Sequence, residues 1–80
     1  MNPLKEARYK KGWNARELGR QSGVHYVTIS ELETGKRKAS IDTLHKLANA
    51  LEIPWQSLAE LSEDEEIRNG PKTDALAAVA

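Results

Sequence analysis

Histidine and cysteine are the side chains to consider first as catalysts or metal ligands. The chain has two histidines, His25 and His45, and no cysteine. The histidines do not fit a metal-binding spacing such as H-x-x-x-H, and no nucleophile elbow surrounds a serine. Without cysteine there is no disulfide and no thiolate metal site. The sequence therefore predicts no enzyme activity, no metal and no cofactor.

The stretch that begins at His25 offers a different chemistry, which is contact with the edges of DNA bases. Valine can meet the methyl group of thymine, and a carboxylate can accept a hydrogen bond from the amino group of cytosine. On a helix that turns by about 100° per residue, Val27 and Glu31 point away from Ile29. An alternative for Glu31 is a solvated helix acid without a partner. The predicted base-contacting residues are His25, Tyr26, Val27, Thr28 and Glu31.

Polar and basic residues flank this stretch on both sides. Before it, a predicted helix begins, and the first N–H groups of a helix favour an anion. After it comes a basic loop, which is often only a solvated surface, but next to groove-facing residues it favours phosphate contacts. The predicted phosphate-contacting residues are Asn14, Ala15, Arg16, Lys36, Arg37 and Lys38.

The charge distribution agrees with a polyanionic partner on one side of the molecule. The formal net charge is zero. Residues 1–40 carry nine basic and four acidic side chains, whereas residues 41–80 carry three basic and eight acidic ones. The first half is therefore at +5 and the second at −5, and such a divided field attracts a polyanion to one side only.

Glycines and capping residues divide the chain into helices that must position these side chains. Asn14 and Ser40 are good N-caps, and Gly12, Gly23 and Gly35 are typical helix ends. The sequence predicts helices over residues 3–11, 15–22, 25–34 and 41–51, and a fifth from residue 54. No stretch alternates with period two, so the predicted class is all-α.

The apolar positions of these helices predict one small core in residues 1–61. Residues 62–80 are predicted to form an acidic, flexible tail, with a possible short helix at residues 74–80. The apolar positions of the fifth helix, Trp55, Leu58 and Leu61, are the predicted surface of a homodimer. The predicted core consists of Leu4, Trp13, Leu18, Val24, Ile29, Leu32, Leu44, Leu47, Leu51, Ile53 and Leu58.

Several motifs in order resemble the Cro and phage-repressor family, also called XRE-type. The motifs are ELGRQSGV at residues 17–24, TISELETGKR at residues 28–37, and SIDTL with LANAL at residues 40–51. The resemblance covers about residues 4–61. It implies a compact five-helix domain with a helix-turn-helix, base contacts from the residues named above, and a salt bridge between Arg8 and Glu33. The chain departs from the family at Ala15, where glutamine is common.

The family resemblance also implies a function and partners. We expect a transcriptional regulator of bacterial or phage origin, a repressor that binds a palindromic double-stranded DNA operator as a homodimer. The alternative is an antitoxin or a restriction-system control protein, with a protein partner bound through the tail. The absence of a secretory signal or a long apolar run predicts a cytoplasmic protein without a membrane segment.

Overall fold

A computed structural model describes residues 2–69, and its regular secondary structure is helical, with one isolated bridge between Ala39 and Ser62. The all-α class is therefore confirmed. The helices are α1 (Pro3–Lys11), α2 (Ala15–Ser22), α3 (Tyr26–Thr34), α4 (Ile41–Leu51), a 3-10 helix (Trp55–Leu61) and a short α5 (Glu65–Arg68).

The first four helices start and stop where local chemistry predicts. The side chain of Asn14 accepts a hydrogen bond from the N–H of Glu17, and that of Ser40 accepts one from the N–H of Thr43. These bonds satisfy N–H groups that the first helical turn leaves without a partner. At the end of α4 a glutamate, Glu52, takes the left-handed conformation, with φ +60°.

The fifth predicted helix forms as a 3-10 helix. Its N-terminal turn contains a hydrogen bond from the N–H of Ser57 to the carbonyl of Pro54 at 3.0 Å. A 3-10 helix has three residues per turn, so Leu58 and Leu61, three positions apart, share one face. Both are buried. They therefore belong to the core, and their prediction as a dimer surface is wrong; of the three residues only Trp55 is partly exposed.

The core lies where α1, α2, α3, α4 and the 3-10 helix meet. Nine of the predicted core residues are buried, whereas Trp13 and Ile53 are only partly buried and pack against its edge. Ala39, Ala48 and Leu61 are additional core residues. Ala39 and Ala48 have small side chains, so an apolar pattern based on large residues does not reveal them.

Residues 62–69 continue the packed structure beyond the 3-10 helix. Ser62 is buried, and the N–H of Glu63 donates to the carbonyl of Ala39 at 2.8 Å. The Arg68 guanidinium donates to the carbonyl of Ser62 at 3.0 Å. The predicted helix at residues 74–80 lies outside the described residues. Among residues 2–69, none of the helices has the length and apolar character needed to cross a membrane.

Candidate nucleic-acid interface

Helices α2 and α3 are two short helices joined by a tight turn. The turn begins at Gly23, whose φ is +81° and whose N–H donates to the carbonyl of Gly19 at 2.9 Å. This left-handed conformation suits glycine because glycine has no Cβ. The reversal brings the N-terminal end of α3 against α2. Two helices in this arrangement form a helix-turn-helix.

Helix α3 is buried on one face and open to solvent on the other. Ile29 and Leu32 are fully buried, whereas Val27 is 44% exposed. The Glu31 side chain is 35% exposed, and Thr28 is half-buried at the boundary between the two faces. The residues predicted to contact bases therefore lie on or beside the free face of the helix.

His25 and Tyr26 lie at the N-terminal end of α3. His25 is the N-cap rather than a helical residue, and its Nδ1 accepts a hydrogen bond from the N–H of Val27 at 3.1 Å. In the neutral ring the proton is then on Nε2, which is left as a donor. The two rings are stacked, with their centroids 4.9 Å apart. His25 therefore closes the helix end and also offers a hydrogen-bond donor.

Arg16 connects the N-terminal ends of α2 and α3. Its guanidinium carbon lies 4.1 Å from the centroid of the Tyr26 ring, and its terminal nitrogen donates to the Tyr26 hydroxyl at 3.1 Å. Arg16 is exposed. The structure thus brings together a predicted phosphate-contacting residue and a predicted base-contacting residue from two different helices.

The other two residues at the start of α2 contribute in different ways. The Asn14 Oδ1 accepts the N–H of Glu17 at 2.8 Å, so this oxygen is used as the helix cap. Ala15 packs partly against the core and has no polar side-chain atom, which leaves only its backbone N–H for an anion. The start of α2 therefore offers backbone donors and the Arg16 side chain.

In the basic loop after α3, one of the three basic side chains is paired with a carboxylate. Lys36, Arg37 and Lys38 are all exposed. The Arg37 Nε donates to the Glu31 Oε1 at 2.7 Å, and the Lys38 Nζ lies 3.5 Å from the carbonyl oxygen of Glu60. Glu31 therefore has a partner, in contrast to its interpretation as an unpaired acid. Helical spacing does not predict this contact, because it spans the end of α3.

Arg8 of α1 and Glu33 of α3 form a two-pronged ion pair. The Arg8 Nε lies 2.7 Å from one carboxylate oxygen of Glu33, and a terminal nitrogen lies 2.8 Å from the other. The remaining terminal nitrogen donates to the carbonyl of Trp13 at 2.9 Å. The two side chains are only 9% and 7% exposed. The hydrogen bonds to Glu33 raise the pKa of Arg8 above its ordinary value, and the pair fixes α3 relative to α1.

Other ion pairs use part of the positive charge of the first half of the chain. Arg20 pairs with Glu17, and hydrogen bonds from Arg20 and Gln21 lower the pKa of Glu17. Lys11 of α1 lies 2.6 Å from Glu52, just after α4. Within residues 2–69, the basic side chains without a carboxylate partner include Arg16, Lys36 and Lys38. These three residues flank the free face of α3 in sequence.

No group of three or more histidine, cysteine, aspartate or glutamate side chains in the described part of the chain is arranged to hold a metal ion. The exposed residues of α2, α3 and the following loop offer hydrogen bonding, apolar contact and positive charge. These are the interactions by which proteins bind the grooves and phosphates of DNA.

The chain belongs to the XRE-type helix-turn-helix family, whose model matches residues 4–58. The match begins at the second residue of α1, covers α2, α3 and α4 completely and ends at Leu58 within the 3-10 helix. It confirms the resemblance found in the sequence. This family consists of DNA-binding transcriptional regulators.

One relative of this chain is the antitoxin HipB of Escherichia coli O6:H1 strain CFT073. It is 33% identical to this chain over 52 residues, which are 65% of this chain and 55% of the relative. The chain therefore spans about half the length of that relative.

Proposed function

We propose that this protein represses transcription by binding a specific double-stranded DNA operator, with α3 in the major groove. The observation that carries this proposal is the division of α3 into two faces. Ile29 and Leu32 anchor one face in the core, and the opposite face leaves Val27 exposed for contact. A single α-helix fits the major groove, and its N-terminal residues reach base edges first.

The N-terminal half of α3 provides the proposed base contacts. His25 offers its Nε2 proton to a base acceptor, Val27 meets a thymine methyl group, and Thr28 donates or accepts through its hydroxyl. Tyr26 is held by Arg16 through stacking and a hydrogen bond, so we assign it to the sugar-phosphate edge of the groove. The pre-arranged aromatic rings support this assignment, since little ordering is needed on binding.

Phosphate contacts are proposed on both sides of the groove. On one side are Asn14, the backbone N–H of Ala15 and the Arg16 guanidinium, at the positive end of the α2 dipole. On the other side are Lys36 and Lys38, which have no carboxylate partner in the described residues. Such contacts position the protein on DNA without reading the sequence.

A homodimer on a palindromic operator is proposed because one recognition helix reads only a few base pairs. A two-fold symmetric dimer has two recognition helices, which doubles the number of base pairs contacted. It also places the two half-sites about 34 Å apart, or a multiple of that distance. Sedimentation of the protein with a minimal operator tests this part. Two protomers per operator are expected, and one protomer would refute the dimer.

The proposed function is tested by selecting bound sequences from a random pool of double-stranded DNA. A single enriched motif is expected, with affinity that falls steeply as salt increases. Lys36→Ala and Lys38→Ala should each weaken binding to all sequences and lower the salt slope by about one. Lys46→Ala, which removes a lysine paired with Asp42 in α4, is the control and should leave the slope unchanged. A pool without enrichment would refute the proposal.

A second candidate function is that of an antitoxin, or of a restriction-system control protein, that binds both DNA and a protein partner. The relationship to the antitoxin HipB favours the first of these. The proposed partner surface is the tail of residues 62–80. Co-expression with the product of a neighbouring gene tests this candidate: a complex that elutes as one species, and that is lost on deletion of residues 70–80, is expected. A neighbouring product that stays separate would contradict it.

A further inference from the structure

The ion pair between Glu31 and Arg37 lies on the face of α3 that is open to solvent. The Arg37 Nε lies 2.7 Å from the Glu31 Oε1, and the side chains are 53% and 35% exposed. Arg37 is outside α3, and its guanidinium reaches the helix only because the chain turns back after Thr34. The basic loop thus contributes one side chain to the face that carries Val27.

Glu31 holds this loop through its backbone as well as through its side chain. The Glu31 carbonyl accepts hydrogen bonds from the N–H of Gly35, where φ is +82°, and from the N–H of Lys36 at 2.9 Å. Lys36, the residue before Arg37, is therefore hydrogen-bonded to the backbone carbonyl of Glu31. The side chain of the same Glu31 binds the Arg37 guanidinium. Two independent attachments to one residue define both the path of the loop and the position of the Arg37 side chain.

The pairing leaves the recognition end of the guanidinium available. Arginine has five N–H donors, of which Glu31 uses the one on Nε. The two terminal nitrogens of Arg37 have no hydrogen-bond partner among residues 2–69. A pair of donors held in one plane matches the O6 and N7 acceptors of guanine, which is the commonest specific contact of arginine in the major groove.

We propose that Arg37 reads a guanine in the operator and that Glu31 is the residue that positions it. This inference rests on the proposed function and names the base that the site recognises. It reverses the sequence-based assignments, in which Glu31 contacts a base and Arg37 a phosphate. A phosphate contact can be made by a point charge such as the lysine ammonium, whereas the two-donor contact with guanine needs a guanidinium held in one plane. The ion pair also neutralises the Glu31 carboxylate, which would otherwise be repelled by the phosphates of the groove.

The experiment measures binding of purified full-length variants to the selected operator and to every single-base change of it. Arg37→Ala should lose the preference for one G·C pair by about tenfold or more, with preferences elsewhere unchanged. Arg37→Lys should weaken the same preference but keep the salt slope, since it retains the charge without the planar pair of donors. Lys38→Ala is the matched control in the same loop: it should weaken binding to all sequences equally and change no base preference.

The role of Glu31 is tested through its dependence on Arg37. Glu31→Ala should reduce the preference at the same G·C pair. Glu31→Gln should reduce this preference less, because the amide oxygen of glutamine can still accept a hydrogen bond from the Arg37 Nε. In the Arg37→Ala background, Glu31→Ala should have no effect at that pair. Thermal unfolding of each variant shows that the effects do not come from loss of the fold.

Two results would overturn the inference while leaving the proposed function intact. If Arg37→Ala weakens all sequences equally and lowers the salt slope by about one, Arg37 contacts a phosphate. If Glu31→Ala changes the preference at one pair in the Arg37→Ala background, Glu31 reads that base itself. A wild-type protein that enriches no DNA motif would refute the proposed function and this inference together.

Discussion

The backbone of Gly19 lies so close to Val24 that a Cβ on Gly19 would come within 2.9 Å of the Val24 carbonyl oxygen. The same Cβ would lie 3.4 Å from the backbone nitrogen of Tyr26. The first atom belongs to the backbone of the turn and the second to the backbone of the first residue of α3, so they cannot move aside as a flexible side chain does. The close crossing of α2 and α3 therefore depends on the absence of a side chain at position 19.

We predict that Gly19→Ala lowers the free energy of unfolding by about 1–3 kcal/mol, because the turn must shift to admit the methyl group. Alanine is the better helix former by about 1 kcal/mol, which acts in the opposite direction. Denaturant unfolding measures the change. Asn49→Ala, at an exposed position of α4, is the control and should have a small or stabilising effect. A more stable Gly19→Ala variant would show that the contact is relaxed at little cost.

The Arg8–Glu33 pair gives a second prediction, because each charge is nearly buried and depends on the other. Glu33→Ala should destabilise the protein by about 3–5 kcal/mol, since it leaves the Arg8 guanidinium buried without its carboxylate. The double variant Arg8→Met, Glu33→Leu should recover much of this loss. Both are measured by denaturant unfolding. If the double variant loses as much unfolding free energy as the single variants Arg8→Met and Glu33→Leu lose together, the two residues are not coupled.

The third prediction concerns stability at acid pH through Glu52. Its hydrogen bond with Lys11, together with the lysine charge, lowers the pKa of Glu52 below its ordinary value of 4.5. A carboxyl group with a lowered folded-state pKa stabilises the protein above that ordinary value, and the stabilisation is lost as pH falls through the folded-state pKa. Glu52→Gln should therefore be less stable than wild type near neutral pH, and the difference should vanish in acid.

Unfolding at a series of pH values measures this effect, and the Lys11→Gln background is its control. There Glu52 lacks its cation, so Glu52→Gln should no longer produce a difference that depends on pH through this pair. If the pH dependence persists unchanged in that background, another group causes it.

The fourth prediction concerns the exposed valine of α3. Val27→Ala should reduce the preference for thymine at one operator position by about three- to tenfold, since it removes apolar contact with the thymine methyl group. Binding to a full set of single-base changes measures it. Ser30→Ala, an exposed residue of the same helix outside the predicted base-contacting set, is the control. If Val27→Ala leaves every preference as it was, that face of α3 does not lie against bases.

Local signals in the sequence were sufficient to predict the four long helices. A cap such as Asn14 or Ser40 acts on N–H groups within three residues, and a left-handed glycine such as Gly23 ends a helix within its own turn. The two faces of α3 were also predictable, because the angle between residues on a helix is fixed. Once Ile29 is assigned to the core, the exposure of Val27 follows from that angle.

Only the tertiary structure decided which polar groups meet and which apolar ones are covered. The Glu31–Arg37 pair depends on the path of the chain after α3, and the contact of Arg16 with Tyr26 depends on how α2 and α3 cross. The sequence predicts Leu61 on a dimer surface, yet it is buried in the core of one chain. Sequence spacing defines neighbours within one helix, whereas these contacts join segments whose distance is set by packing and by turns that reverse the chain.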